Sequence, residues 1–279
     1  MPKPGTTHLS QGITKAREVD ADEHLNVKQV HEYWEHRAAT ESGPQSTTMD
    51  VYLRDIEFRA LAARIDVPKH ASIADVGCGD GRTTAKLAAR FPDFAFQGID
   101  FCSNMLRIAR RVVEHANLSN LTMHQQNVCD GLEGRFDLIF TTRCLINVPS
   151  WELQRRALRC IHSALNDGGV YLMVENFIEG HDSMNRLRVA FGLPEIRVRN
   201  HNLFFERRRL LEFLAAMFEV IEEVNISSTY YMVTRVIYSK LCLDAGKSPN
   251  YFDDHHRLAA DLPFSGEYGP MRLLSLKKH

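Results

Sequence analysis

The sequence predicts an α/β fold, in which a β-sheet is covered by helices on both faces. The first observation lies in residues 72–91, where a short apolar run ends at Val76, three glycines follow at alternate positions, and helical periodicity begins at Arg82. Strand, glycine loop and helix in this order open a nucleotide-binding α/β unit. The second observation is the continuous apolar run at residues 170–174, which is typical of a strand in the middle of a covered sheet.

The composition indicates a globular protein that can bury a sizeable core. Of its 279 residues, 44% are hydrophobic and 25% are charged, which fits one domain with elaborations. The formal net charge of -1 argues against a nucleic-acid partner, because neutralising phosphates requires concentrated lysine and arginine.

The cysteines and the N-terminus predict the compartment. The six cysteines form no C-x-x-C pair and no H-E-x-x-H motif is present, so we expect neither a metal site nor a disulfide framework. Residues 1–5 lack the apolar core of a signal peptide, and no segment approaches the length of a membrane span. We therefore expect a cytoplasmic protein without a membrane partner.

The spacing of the glycine loop separates two classes of cofactor. The pattern is Gly77-x-Gly79-x-Gly81 preceded by Asp75, and Arg82 stands where a dinucleotide-binding loop has its third glycine. A glycine in such a loop lets the backbone turn sharply and lie against a ligand. The pattern therefore indicates a nucleotide cofactor other than NAD.

This loop resembles the first motif of the class I S-adenosylmethionine-dependent methyltransferases, commonly written D-V-G-C-G-x-G. The resemblance extends from about Tyr33 to the C-terminus and is strongest over residues 73–176. It implies a Rossmann-like sheet of seven strands, with S-adenosylmethionine as cofactor. In the glycine loop it implies that the cofactor is bound by Asp75, Gly77, Cys78, Gly79 and Gly81.

Ahead of the loop, residues 27–39 predict a helix that contains the series Tyr33-Trp34-Glu35-His36-Arg37-Ala38. It is similar to a Y-W-x-x-R-A element that acts as a lid in this family. The similarity implies that Tyr33 and Arg37 bind the cofactor, with the basic residue pairing with the methionine carboxylate. A surface helix that docks Tyr33 and Trp34 into an apolar groove is the alternative. A second helix is predicted over residues 50–65.

Residues 95–100 predict the second strand, which ends at Asp100, 25 positions after Asp75. Nucleotide folds place an acid near this distance to bind the ribose hydroxyls. Ser103 is expected to cap a helix that begins at Asn104. The resemblance implies that Phe101 and Met105 border the adenine, although core packing explains Met105 equally well.

The third and fourth predicted strands, residues 121–125 and 136–140, contribute further ligand contacts. Asn127 stands where related enzymes have an aspartate that binds the adenine amino group, and the resemblance gives Val128 the contact with a ring nitrogen. Ligands of α/β sheets bind at the carboxyl ends of the strands, so Thr142 and Arg143 are expected to face the methionine portion.

The rest of the chain predicts a helix from Trp151 capped by Ser150, a strand at 170–174, a helix at 207–218, and strands at 219–226 and 271–276. The predicted organisation is an N-terminal helical lid (1–48), a core (49–226), an insertion (227–270) and a closing strand (271–279). Tyrosines of the insertion suggest the wall of a substrate pocket, whereas a contact between the subunits of a homodimer is the alternative.

We expect transfer of a methyl group to an oxygen or nitrogen atom of a small molecule or a sugar. Glu175, at the end of the fifth strand, and His201, on a later loop, are the candidates for a catalytic base. Two alternatives remain: an enzyme of the same fold with different chemistry, such as aminopropyl transfer or modification of the cofactor, and a non-catalytic subunit that binds S-adenosylmethionine.

Overall fold

The computed structural model describes residues 24–279 except 42, 44 and 45, and seven strands of this part of the chain form one sheet. The strands are β1 Ser72–Val76, β2 Ala95–Asp100, β3 Leu121–Gln125, β4 Phe136–Thr142, β5 Leu165–Asn176, β6 Phe218–Asn225 and β7 Met271–Lys278. Their spatial order is β3-β2-β1-β4-β5-β7-β6. Strands β1 to β5 are parallel, and β7 runs antiparallel to both β5 and β6. The predicted α/β fold with a seven-stranded sheet is confirmed.

Helices cover both faces of this sheet. They are α1 Val27–Thr40, α2 Val51–Ala62, α3 Arg82–Arg90, α4 Ser103–His115, α5 Trp151–Ala164, α6 Ile178–Ala190, α7 Arg207–Leu214, α8 Ser228–Tyr231, α9 Tyr238–Asp244 and α10 Asp254–Ala260. Along β4, Ile139 lies in the apolar layer of α5 and α7, whereas Leu138 and Phe140 lie in the layer of α2 and α3. This alternation explains why the central strands are apolar throughout, since neither face is exposed to water.

One predicted helix is too long and one helix was not predicted, and each difference has a physical reason. The helix predicted to reach residue 218 ends at Leu214, because Phe218 is buried and begins β6, where it pairs with Lys278. Helix α6 was not predicted. Its buried positions include Gly180, His181, Asn185 and Arg188, so they carry no apolar periodicity.

The predicted cap of α4 is also wrong. Ser103 is the first residue of the helix, and its backbone N–H donates to Oε1 of Glu35 on α1, at 2.7 Å. The Ser103 hydroxyl and the backbone N–H of Asn104 donate to the same carboxylate, at 3.0 and 3.2 Å. A carboxylate is favourable at a helix N-terminus because the unpaired N–H groups there carry a partial positive charge. Glu35 therefore ties α1 to α4.

The insertion between β6 and β7 is helical and packs against α2. Helices α8 and α9 are joined by the π-helical segment Met232–Ile237, which places Arg235 beside Asp50, the N-cap of α2. The Tyr230 hydroxyl donates to Oδ1 of the same Asp50 at 2.6 Å. No helix in the described part of the chain is long and apolar enough to cross a membrane.

Candidate active site

The glycine loop between β1 and α3 requires its glycines. Gly77, Gly79 and Gly81 have φ values of +79°, +54° and +71°, which residues with a side chain rarely adopt. A Cβ atom at Gly77 would lie 2.3 Å from Sγ of Cys144, and one at Gly81 would lie 2.7 Å from Cβ of Ala109. The loop therefore follows a path that larger residues would block.

Asp100 fixes this loop from the neighbouring strand. Its Oδ2 accepts a hydrogen bond from the backbone N–H of Gly79, and its Oδ1 accepts one from Cys102, both at 2.8 Å. Burial raises the pKa of the carboxyl. A carboxylate offers about four acceptor positions, so two remain for a ligand.

Two cavities lie at the carboxyl edge of the sheet and share the wall formed by Gly77 and Phe101. The smaller cavity, of about 210 Å³, lies among Val76, Ile99 and Val128. The larger cavity, of about 340 Å³, extends from the glycine loop to α6 and the insertion. Parallel α/β sheets bind their ligands at this edge.

Most of the predicted cofactor residues line these cavities. Asn127 and Val128 line the smaller one. The larger one is lined by Arg37, Asp75, Gly77, Cys78, Gly79, Asp100, Phe101, Met105, Thr142 and Arg143. Gly81 and Tyr33 line neither of the two: Gly81 packs against α4, and Tyr33 stacks on His201 with ring centroids 4.3 Å apart.

Several of these side chains are already engaged within the protein. Asp75 accepts a hydrogen bond from the Thr84 hydroxyl, and burial raises the pKa of Asp75 to about 7. Asn127 accepts from the backbone N–H of Cys129 at 3.0 Å and donates to Asp130 at 2.9 Å. These contacts hold each side chain in place and leave its second acceptor position open.

One face of α2 forms a charged wall of the larger cavity. Asp50, Arg54 and Glu57 recur at helical spacing, and all three are buried. Arg54 pairs with Asp80 of the glycine loop at 3.2 Å, and Glu57 with Arg143 at 2.7 Å. Asp50 pairs with Arg235 of the insertion. Sequence analysis missed this charged wall, although the i, i+4, i+7 spacing of its charges was visible.

The position of Glu175 does not support the predicted role as a base. The residue is fully buried and lines neither cavity. Its carboxylate accepts hydrogen bonds from the backbone N–H groups of Cys144, Leu145 and Ile146, at 3.1, 2.9 and 3.2 Å. Burial raises the pKa of Glu175 to about 7. Glu175 thus holds the turn after β4.

His201 does line the larger cavity, beneath α1. Its ring stacks on Tyr33 and meets Trp34 edge-on, with centroids 5.8 Å apart. Burial, with the charges of Arg199 and Arg37, lowers the pKa of His201 to about 4. The imidazole is therefore neutral at physiological pH and a weak base.

The structure adds Asn176, Arg197 and Arg199 to the site, together with an unpaired hydroxyl on the predicted residue Thr142. Thr142 Oγ1 and Asn176 Oδ1 are buried in the wall of the larger cavity and have no hydrogen-bond partner among the described residues. Arg197 and Arg199, which we call the rim arginines, are exposed at the same cavity. The position of Asn176 at a strand end was a signal for it, whereas the rim arginines lie in an irregular segment without a motif. No group of three or more His, Cys, Asp or Glu residues in the described ranges is placed to hold a metal ion.

Comparisons with known proteins agree with this site. Residues 73–169 match the family described as methyltransferase domain. An uncharacterised protein of Rickettsia prowazekii is 25% identical over 176 residues, which cover 57% of this chain and 68% of that protein. The trans-aconitate 2-methyltransferase of Deinococcus radiodurans is 34% identical over 117 residues, 42% of each chain. That of Methylobacterium nodulans is 43% identical over 90 residues, which cover 32% of this chain and 33% of that protein. The match therefore spans less than half of either methyltransferase.

Solved structures share the fold at low sequence identity. The [4+2]-cyclase SpnF superposes with a TM-score of 0.60 and 18% identity, covering 92% of this chain and 98% of that one. The N-methyltransferase NodS of Bradyrhizobium japonicum, in complex with S-adenosylhomocysteine, gives a TM-score of 0.56 and 12% identity, covering 89% and 98%. The domain match confirms what the glycine motif predicted: residues 73–169 carry a methyltransferase domain, and the sheet has the fold of the class I, S-adenosylmethionine-dependent methyltransferases.

Proposed function

We propose that the protein transfers the methyl group of S-adenosylmethionine to a carboxylate oxygen of a small-molecule acid. The observation that carries this proposal is the pair of adjacent cavities: a smaller one with an apolar wall at the ends of β1 to β3, and a larger one with more polar side chains that extends to the insertion. They provide separate space for a nucleoside and for a second small molecule. S-adenosylmethionine supplies a methyl group already activated by a positively charged sulfur.

The residues of the smaller cavity fit the nucleoside. Val76, Ile99 and Val128 supply an apolar surface for a flat ring, and Phe101 separates this cavity from the larger one. Asp100 lies in the wall of the larger cavity, and its free acceptor positions suit the two neighbouring hydroxyl groups of the ribose. At the glycine loop the ligand occupies space that Cβ atoms would otherwise fill.

The larger cavity offers polar atoms to an acceptor. Buried polar groups almost always have a hydrogen-bond partner, and the unpaired atoms of Thr142 and Asn176 are available to a ligand in this cavity. Both residues lie at strand ends, on rigid elements that hold an acceptor in a defined orientation. Such positioning alone supplies about 7–11 kcal/mol of the barrier reduction.

The protonation states of the candidate bases favour an acceptor that is already ionised. Glu175 is occupied by three backbone N–H groups, and burial lowers the pKa of both His201 and His181, the two histidines that line the larger cavity. A hydroxyl acceptor would require a base to remove its proton, whereas a carboxylate is an anion at neutral pH. Trans-aconitate, which appears in the name of two similar methyltransferases, is a carboxylate of this kind.

Two other functions make different predictions. A non-catalytic subunit is expected to have a filled acceptor cavity, and the open larger cavity speaks against it. An enzyme of this fold with different chemistry would consume S-adenosylmethionine without forming a methylated acid.

The test is a methyl-transfer assay with S-adenosylmethionine and separate pools of carboxylic acids, sugars and amines. We expect S-adenosylhomocysteine and a methyl ester from the acid pool, detected by mass spectrometry. Asp100→Ala should weaken binding of S-adenosylhomocysteine at least about tenfold, while Asp93→Ala, an exposed aspartate outside both cavities, should not. Methylated sugars or amines without any ester would overturn the proposal.

A further inference from the structure

We propose that the rim arginines, Arg197 and Arg199, bind an acid group of the acceptor other than the one that is methylated. The inference rests on the proposed function and defines its substrate class: a small molecule with at least two acid groups. The second group is a carboxylate or a phosphate, since a guanidinium binds both in the same forked geometry.

The first argument is the pairing of the arginines around the larger cavity. Arg54, Arg143 and Arg235 each form an ion pair with a buried carboxylate on the charged wall or the glycine loop. Arg37 pairs with Glu41 at 2.9 Å. Within the described residues, the rim arginines have neither an ion pair nor a hydrogen bond from their side chains, although both line the same cavity. Their charges are available to a ligand.

The second argument is that the segment carrying these arginines is held in place. Asn185 of α6 accepts from the backbone N–H of Ile196 at 2.9 Å, and its amide donates to the carbonyl of Ile196 at 3.0 Å. Ile196 also packs in an apolar cluster with Met184 and Val236. The backbone that presents Arg197 and Arg199 is therefore anchored directly before them, which limits the entropy lost on binding.

The third argument is the charge balance of the cavity. Its acidic side chains are committed: three pair with arginines, Asp75 is bonded to Thr84, and Asp100 holds the glycine loop. The neutral His201 beneath the rim adds no charge of its own. The rim is thus positively charged, whereas most charges deeper in the cavity are paired. This arrangement attracts an anion that carries a second negative group besides the one that reacts.

The test measures binding by calorimetry to the protein loaded with S-adenosylhomocysteine. The probes are trans-aconitate with three carboxylates, 3-phosphoglycerate with a carboxylate and a phosphate, and crotonate with one carboxylate. We expect at least one of the two polyacids to bind ten or more times tighter than crotonate. Replacing both rim arginines (Arg197→Gln, Arg199→Gln) should remove most of that difference and change crotonate binding less than about twofold.

Two control variants complete the design. Lysine at both positions should restore part of the affinity, because charge is kept and the fork is lost. Arg208→Gln, an exposed arginine on α7, should have no effect. Preference for 3-phosphoglycerate over trans-aconitate would identify the second group as a phosphate.

Two outcomes would overturn the inference: neither polyacid binds tighter than crotonate, or the double glutamine variant keeps the wild-type preference. Binding of S-adenosylhomocysteine and, in a separate assay, methyl transfer from S-adenosylmethionine to crotonate are measured with the same protein preparations. If the wild type shows neither this binding nor this methyl transfer, the proposed function is contradicted. If it shows both but no preference for a polyacid, this inference alone is contradicted.

Discussion

At the scale of single residues, Glu175 links the end of β5 to the turn that follows β4. The turn it holds carries Cys144, whose sulfur packs directly on Gly77 of the glycine loop. Neutral, buried Glu175 can keep these contacts because protonation leaves acceptor positions on both oxygens. The residue therefore shapes the floor of the site from outside the cavities.

We predict that Glu175→Gln changes how stability depends on pH. Burial raises the pKa of Glu175 to about 7 from an ordinary value of 4.5, so the folded protein holds one more proton than the unfolded chain between these values. The free energy of unfolding therefore falls as pH rises through this window, by at most about 1.4 kcal/mol per pH unit from this group. Glutamine removes that contribution, so the variant should lose less stability than the wild type between pH 5 and 7.

Urea denaturation at pH 5, 6, 7 and 8 measures this dependence. Glu219→Gln, which changes an exposed glutamate on β6, is the matched control and should follow the wild type. An unaltered slope in Glu175→Gln would mean that the carboxylate is ionised when folded, held by its three N–H donors.

Sequence reasoning placed Glu175 at the correct edge of the sheet but could not assign its role. Strand periodicity and the glycine loop give the edge, because they depend on neighbouring positions in the chain. The partners of the carboxylate come from residues 144–146, about thirty positions away, and their N–H groups become available only through the turn. Likewise, the low pKa of His201 depends first on its burial in the folded chain, and then on the charges of Arg199 and of Arg37 on α1.

At the scale of elements, the Glu35 carboxylate ties α1 to α4, beside the apolar contacts of Trp34 and Ala38 with the same helix. Glu35 satisfies the N-terminus of α4, while Trp34 and Arg37 of the same helix line the larger cavity. The position of α1 is compatible both with a lid and with a permanently docked helix. Hydrogen exchange distinguishes the two.

We predict that Glu35→Gln loosens α1, because an amide replaces the carboxylate that accepts three hydrogen bonds at the start of α4. Loss of such a cap costs about 1 kcal/mol. Amide exchange of residues 27–40 should be faster in the variant, and S-adenosylhomocysteine should slow it in the wild type if α1 is a lid.

Glu32→Gln is the control for this experiment, since Glu32 lies on the exposed side of α1 and pairs only with Lys28 among the described contacts. Equal exchange in both variants would show that Glu35 does not hold the helix. Equal exchange with and without S-adenosylhomocysteine would favour the docked helix.

Most elements with apolar residues on the buried face were predicted, whereas α6, whose buried face is mainly polar, was not. Strand β2 and helix α3 lie at or within one residue of their predicted bounds. Helix α6 escaped because its buried face carries His181, Asn185 and Arg188, which bind backbone groups of later segments. Those partners belong to the folded chain and have no local pattern.

At the scale of the whole molecule, the charged wall of α2 joins three separate parts. Its ion pairs reach the glycine loop, the end of β4 and the insertion, and the carboxylate of each pair is buried. The wall therefore holds the cofactor side and the acceptor side of the cavities together.

We predict that Glu57→Gln destabilises the protein by about 3–5 kcal/mol, because it leaves the charge of Arg143 buried without its partner. The double variant Glu57→Leu, Arg143→Met should recover most of this loss, since apolar residues of similar size replace a buried ion pair at little cost. Chemical denaturation of the single and double variants measures both effects.

The comparison is the removal of the surface ion pair between Lys86 and Asp55. Because both side chains are exposed, this pair should contribute less than about 1 kcal/mol to stability. If the double variant is as unstable as Glu57→Gln, the pair does more than neutralise charge, and its hydrogen bonds define the shape of the wall.

The charged wall also governs how this protein could acquire a new substrate by mutation. A mutation of any one of its buried charges leaves the partner on a distant element unpaired. Single mutations there give unstable proteins, and only the replacement of both partners keeps the protein stable. The rim arginines are bound to no such partner within the described residues. Selection for a different acceptor should therefore fix its first mutations at positions 197 and 199, and alter the wall late and two residues at a time.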